Sequence, residues 1–271
     1  MTETTIAVGD ILRDWRQRRR LSQLGLAVEA EVSQRHLSFV ESGRASPSRD
    51  MVLRLAEGLA MPLRERNAML IAAGLAPLYR ERPLDDDAMA AARQAVDQIL
   101  KGHEPHPALA VDRHWNMISA NGAIAPFLEG IASQLLAPPV NVLRLSLHPD
   151  GLASRILNFR EWRAHLVSRL KEQVEQSNDA GLKSLLDELT AYPVPGDAKP
   201  WRPNDRGAAR APIAVRLELA IKGGKFAFLS TTTVFGTATD ITLSEIAIET
   251  FFPADEKTAA AMRAGSPSAQ G

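Results

Sequence analysis

Residues 21–43, LSQLGLAVEAEVSQRHLSFVESG, place two capping serines, one small residue and one tight turn in an order that few local architectures accommodate. Ser22 can cap a short helix beginning at Gln23, Ala30 to Val32 can form the turn, and Ser33 can cap a second helix reaching about Ser42. Two helices that cross steeply need a small residue where their backbones approach, and Ala27 supplies it. Val32, Leu37 and Val40 then face inward, while Gln34, Arg35, Ser38 and Phe39 face out. The expected product is a helix-turn-helix.

The flanks extend this pattern. A helix over about Val8–Arg19 carries Ile11, Leu12 and Trp15 on one face and Arg16, Arg18 and Arg20 around the other. Downstream, GRASPSRDMVLRLAEGLAMP lets Gly43 close the second helix of the pair and Ser48 cap a fourth, and a fifth is expected around Pro62–Ala73. Over residues 8–75 the chain resembles the five-helix domain of Cro and the phage repressors, the XRE family. It departs from that pattern at Glu31, where the turn usually holds a glycine suited to a left-handed backbone. The resemblance implies binding to double-stranded operator DNA. Gln34 would pair with adenine, Arg35 with guanine and Phe39 with a thymine methyl, and His36 and Ser38 lie on the same face. Gln23, Ser42, Arg44 and Arg49 would hold phosphates, which sets register and not sequence. The alternative for all of them is an ordinary solvated helix face.

At 271 residues the chain can build two domains with separate cores. The absence of cysteine excludes disulfides and thiolate metal sites and suits a reducing compartment. No run approaches the roughly 18 apolar residues of a membrane span, and MTETTIAVGD lacks a basic-then-apolar leader, so a cytoplasmic protein with no membrane partner is expected. The net charge is zero, but residues 1–80 hold 12 Arg against 9 acidic residues, and every cation before Lys101 is an arginine. The planar guanidinium suits phosphates and guanine edges; a compositional preference for arginine also accounts for the bias.

Beyond the head, GLAPLYRERPLDDD and a helix over about 87–101 are expected to form a linker and connecting helix, residues 76–104. Residues 105–257 mix strands and helices. ALAVDRHWNMISAN reads as strand, turn and strand ending in a capping Asn121, and an amphipathic helix should span about Asn158–Gln176 with Phe159, Trp162, Leu166 and Leu170 as its stripe. Another helix is expected over Ala180–Leu189. From Pro212 the period becomes two: Ile213, Val215, Leu217, Leu219 and Ile221 share one side, residues 222–225 make the hairpin turn, and the last strand covers about Ser244–Thr250. This element order predicts an α+β chain, an all-α five-helix head followed by a PAS-like α+β domain. Residues 258–271, rich in Ala, Ser and Gly, read as a disordered tail.

HEPHPALAVDRHWNMISAN, NVLRLSLHPDG, NFREWRAHLVSRL and LSTTTVFGTATDITLSEIAIETFFPAD make the second half similar to the ligand-binding domain of MmyB-like transcription regulators, over most of residues 103–257. The resemblance implies a one-component regulator that holds a small lipophilic effector, with a fatty acid or acyl group as the first candidate and no other cofactor. In such a pocket a few polar groups orient an apolar ligand, and Arg144, His148, Asn158 and His165 are the candidates, Arg144 for a carboxylate. The alternative gives Arg144 an acidic neighbour within the domain. Trp115, Phe159 and Trp162 serve either pocket wall or plain core, and Thr232, within Thr231–Thr233, either touches ligand or is structural. No nucleophile spacing accompanies His148, Asp150, His165 and Arg144, and no phosphate loop follows a strand, so no enzyme is expected. His103 and His106 sit among prolines with no third ligand nearby, which favours a solvated loop over a metal site. The expected protein is a homodimeric, effector-sensing, DNA-binding regulator; the alternative has a filled second domain that serves only dimerisation or protein contact.

Overall fold

Three serine hydroxyls start three helices in the computed structural model of the chain, which describes residues 7–177, 179–201, 215–221 and 224–265. Ser22 accepts a hydrogen bond from the Gly25 amide at 2.9 Å, Ser33 from His36 at 3.2 Å and Ser48 from Met51 at 3.3 Å, each satisfying an amide that the first helical turn leaves free. They open α2 (Gln23–Glu29), α3 (Gln34–Glu41) and α4 (Arg49–Gly58), which join α1 (Val8–Arg18) and α5 (Leu63–Ala72). The five helices bury one core, in which Leu12, Trp15, Leu26, Leu37, Val52, Leu55 and Leu70 are nearly or wholly inaccessible.

Glu31 takes the left-handed turn itself, with φ +53°, although a side chain in that region typically costs about 1–2 kcal/mol. The turn holds because Val32 returns its amide to the Ala27 carbonyl at 2.9 Å and packs its side chain against the core. Ala27 is buried, as its spacing suggested, but a second small residue matters as much: a Cβ on Gly9 would lie 2.5 Å from the Val40 carbonyl oxygen. That contact sets how closely α1 approaches α3.

The chain forms two units, one comprising residues through Pro83 together with Thr237–Ser244, the other Leu84–Gly236 with the chain from Glu245 onward. The boundary falls later than the expected end at residue 75. Asn67 of α5 donates to the Tyr79 carbonyl at 2.6 Å and accepts from the Leu78 and Tyr79 amides, while Arg64 pairs with Glu81, so residues 76–83 are fastened to the head and do not act as a linker. The discontinuous piece of this unit contains α12 (Ile241–Ser244). Ile241 is buried and bonds the Arg80 carbonyl, Asp240 pairs with Arg82 at 3.1 Å, and Thr242 donates to the Arg82 carbonyl.

In the second unit α6 (Ala90–Gly102) precedes β1 (Ala108–Val111) and β2 (Met117–Ala120). The short helices α7 (Ala125–Leu128), α8 (Ser133–Leu136) and α9 (Val142–Leu147) follow, then the helical pair α10 (Phe159–Ser177) and α11 (Ala180–Ala191). The chain returns to the sheet with β3 (Arg216–Ile221), β4 (Gly224–Val234) and β5 (Ala247–Pro253) and ends, among the described residues, in α13 (Glu256–Gly265). The five strands are antiparallel in the order β2-β1-β5-β4-β3, with Ala108 opposite Thr250 and Leu217 opposite Phe228. This is the expected α+β, PAS-like arrangement.

Three local expectations change. Asn121 does not cap the next helix; its amide bonds the Ala108 amide and the Leu100 and His106 carbonyls, tying α6 to β1. The last strand begins at Ala247 because Asp240 caps α12 through the Thr242 amide, which makes residues 241–244 helical. Residues 258–265 form most of α13, with Asp255 accepting from the Thr258 amide and Thr258 from the Ala227 amide of β4. Alanine richness there reflects helix propensity. Ile213, residues 222 and 223 of the hairpin turn and residues 266–271 of the expected tail lie outside the described residues.

Candidate functional site

The outer face of α3 begins with Gln34 and Arg35, both exposed; His36, Ser38 and Phe39 are half-buried behind them. Arg35 places its guanidinium carbon 5.4 Å from the centre of the Phe39 ring, a cation–π contact that limits the wandering of a long side chain before anything binds. Past the helix, Ser42 and Arg44 are exposed, and Arg49 opens α4. Among the described residues neither Arg44 nor Arg49 has an ion-pair partner, which leaves both available to an external anion. Ser42 donates to the Phe39 carbonyl at 3.2 Å.

Gln23 is placed differently from expectation. Its amide donates to Glu41 at 2.8 Å, and Arg16 binds the same carboxylate through Nε at 2.6 Å and Nη2 at 2.9 Å. Glu41 is only 4% exposed, so Gln23 and Arg16 compensate a buried charge and lock α1, α2 and α3 together.

In the second unit, the inner faces of the sheet, α7, α9 and α10 line a partly open cavity of about 110 Å³. Its wall is almost entirely carbon: Leu109, Met117, Phe127, Leu145, Leu166, Leu219, Phe228 and Phe251 are typical. Cavities of this order walled by Leu, Ile and Phe stay dry and accept apolar guests. Trp115 and Trp162 both line it, and both indole N–H groups are satisfied elsewhere, Trp115 on Gln173 at 2.7 Å and Trp162 on Ser146 at 2.9 Å. Their rings therefore offer hydrocarbon surface alone. Trp115 carries backbone strain, with φ +67°, imposed by Asp112, whose carboxylate accepts from the His114 and Asn116 amides and whose carbonyl accepts from the Trp115 amide.

The polar end of the cavity consists of Arg169, Glu249 and Ser230. Arg169 binds Glu249 in a two-pronged pair at 2.7 and 3.2 Å, and Thr232 accepts from Arg169 at 2.5 Å while donating to Glu249 at 2.9 Å. The guanidinium also lies 4.6 Å from the centre of the Trp115 ring. Thr232 thus supports this end without lining the cavity.

The remaining expected ligand residues are not at the cavity. Arg144 forks onto Glu188 at 2.7 and 2.8 Å, and Tyr192 donates to the same carboxylate. Arg144 is raised and Glu188 lowered mainly by their mutual hydrogen bond; burial first, and then Glu188, push Tyr192 up to about 12. This is the acidic-neighbour alternative. His148 stacks edge-on with Tyr192 at 5.0 Å and accepts from the Asp150 amide, beside that cluster. Asn158 donates to the Arg216 carbonyl and accepts from the Glu218 amide, tying the start of α10 to β3. Phe159 is 1% exposed and belongs to the packed core. His165 lies 5.5 Å from the Trp162 ring without lining the cavity, and burial, then the charge of Arg169, holds it below the usual histidine range.

Arg169 was missed. Trp162, Leu166 and Arg169 line the cavity from successive turns of one face of α10, whereas the stripe read from sequence followed Phe159, Trp162, Leu166 and Leu170. An arginine at that spacing was a usable signal.

A capped helix-turn-helix head joined to a sheet domain with an apolar cavity defines a ligand-sensing transcription regulator. Residues 92–264 match the model described as the MmyB-like transcription regulator ligand binding domain, and residues 7–69 match that of a helix-turn-helix domain. The chain belongs to the MmyB-like transcription regulator family. No curated protein matches it. Among the described residues no helix is long and apolar enough to cross a membrane.

Proposed function

We propose that the protein is a homodimeric repressor or activator whose hold on operator DNA is set by a small lipophilic molecule in the cavity of its second unit. The observation that carries the ligand class is the wall of that cavity, where two tryptophan faces and fifteen other apolar side chains meet only four polar ones. A water cluster would find too few partners there, whereas an alkyl or aryl body gains about 25 cal/mol per Å² of apolar surface removed from water. On the DNA side, α3 enters the major groove with Arg35 and Gln34 toward base edges, and Arg44 and Arg49 rest on phosphates. A dimer then reads two half-sites about 34 Å apart.

Native mass spectrometry of freshly purified full-length protein, followed by denaturing extraction, tests the reading. The expected result is a dimer that carries a lipophilic small molecule, or that takes one up with a rise in melting temperature and a change in operator affinity. By linkage, operator DNA must change ligand affinity by the same factor, commonly about 1–3 kcal/mol. A protein that carries nothing, gains no thermal stability from a panel of alkyl and aryl compounds and binds DNA identically throughout would leave the second unit with a dimerisation role only.

A further inference from the structure

Among the described residues, the ionisable groups lining the cavity are Arg169 and Glu249 alone, and they are bonded to each other. The Glu249 side chain is 6% exposed, and its carboxylate is held by Arg169 from one side and Thr232 from the other. The polar end is therefore electrically paired: one positive and one negative charge held in two prongs, the carboxylate nearly inaccessible and the Arg169 side chain 25% exposed. His165, one turn before Arg169 on α10, is held toward its neutral form by burial and then by the charge of Arg169.

A carboxylate arriving at this end would be a third charge. To reach Arg169 it must displace Glu249, which then stays buried without its cation, or stand beside Glu249 as a second anion in low dielectric. Separating Glu249 from its cation strands a nearly inaccessible carboxylate, a cost that offsets much of what burial of the hydrocarbon body contributes. An ammonium meets the mirror-image problem at Arg169. A neutral polar group meets neither. Three of the five guanidinium N–H groups are engaged by Glu249 and Thr232, so the fork still has donors for a carbonyl or hydroxyl oxygen. Ser230 lines the same end, and its hydroxyl has no hydrogen-bond partner among the described residues. It stands on the same face of β4 as Thr232, two residues away.

Resting on the reading of the cavity as an effector site, we infer that the effector is an uncharged amphiphile: a hydrocarbon body with a hydroxyl, amide or ester group that bonds Ser230 and the paired Arg169–Glu249. A free fatty acid is selected against. The carboxylate role expected of Arg144 falls away with it, because that cation is committed to Glu188 outside the cavity.

Four probes of one chain length and one plain alkane separate the cases: decanol, decanamide, decanoate, decylamine and decane, titrated into full-length protein at neutral pH and read by calorimetry. In the wild type, decanol and decanamide should bind at least about tenfold tighter than decanoate and decylamine, a gap of about 1.4 kcal/mol. Glu249→Gln removes the negative charge and should reverse the order of decanoate and decanol. Ser230→Ala, a smaller change on a half-buried strand position, should weaken decanol and decanamide several-fold relative to decane, and this arm stands even if Glu249→Gln does not fold. Decanoate as the tightest wild-type ligand, an order unmoved in folded Glu249→Gln, or decane bound as tightly as decanol would overturn the inference while leaving the effector site intact. Failure of all five to bind would remove the effector-site reading itself and the inference with it.

Discussion

Burial alone pushes the Glu41 carboxyl up, but the hydrogen bonds from Arg16 and Gln23 and the charges of Arg16 and Arg13 outweigh it, and the group ends below the ordinary glutamate range. A carboxyl depressed in the folded state adds stability that is complete above its unfolded pKa and is lost as pH falls through the folded value. Glu41→Gln should therefore cost about 3 kcal/mol near neutral pH, where it strands the largely buried Arg16, and the gap should close as pH falls below the ordinary glutamate range. Urea unfolding of both proteins across that range checks it, and a gap that stays constant would assign the loss to packing. Glu41 also shows where a one-dimensional reading stops. Its outward neighbours were legible from helical period, but its partners lie 18 and 25 residues upstream and nothing local announces them. The same holds for Arg169, whose partner Glu249 is 80 residues away, and for Arg144, where only the fold could choose between a ligand carboxylate and Glu188.

Elements whose signals are local were legible: the capped helices of the head, α10 with its stripe, and the period-two strands of the sheet. Elements fixed by distant partners were not, as the fastening of residues 76–83 by Asn67 and the one-turn α12 both show. The α2–α3 turn is locally determined and can be improved. Glu31→Gly relieves the left-handed penalty but adds unfolded-state entropy, and the balance favours the glycine by roughly 0.5–1 kcal/mol; a melting temperature no higher than wild type would show that the turn is not strained. For α3, Arg35→Ala should relax base preference at one position at a cost of about 1–3 kcal/mol, because its guanidinium leads the exposed face. Arg44→Ala should weaken specific and random DNA alike and lower the salt slope by about one phosphate contact. Equal losses on both DNAs for Arg35→Ala would take that residue off the base edge.

Across the whole molecule, the strands that supply Ser230 and Glu249 are joined by a connection whose residues 237–244 count with the DNA-binding unit. If effector binding shifts these strands, that connection carries the shift. Asp240→Ala, which removes the partner of Arg82 and the cap of α12, should reduce the factor by which effector changes operator affinity while effector binding itself moves little. Filter binding with and without effector measures this, and full coupling in the variant would send the signal through another route. The same connection limits how such a protein can be recombined. A chimaera that grafts only the first 83 residues onto another sensor would leave Arg82 without Asp240 and remove the buried Ile241, so the head would not travel intact. Exchange of the two halves, in the laboratory or by gene fusion, requires the recipient to supply a matching strand-to-strand connection, and heads of this kind should be inherited together with their sensors.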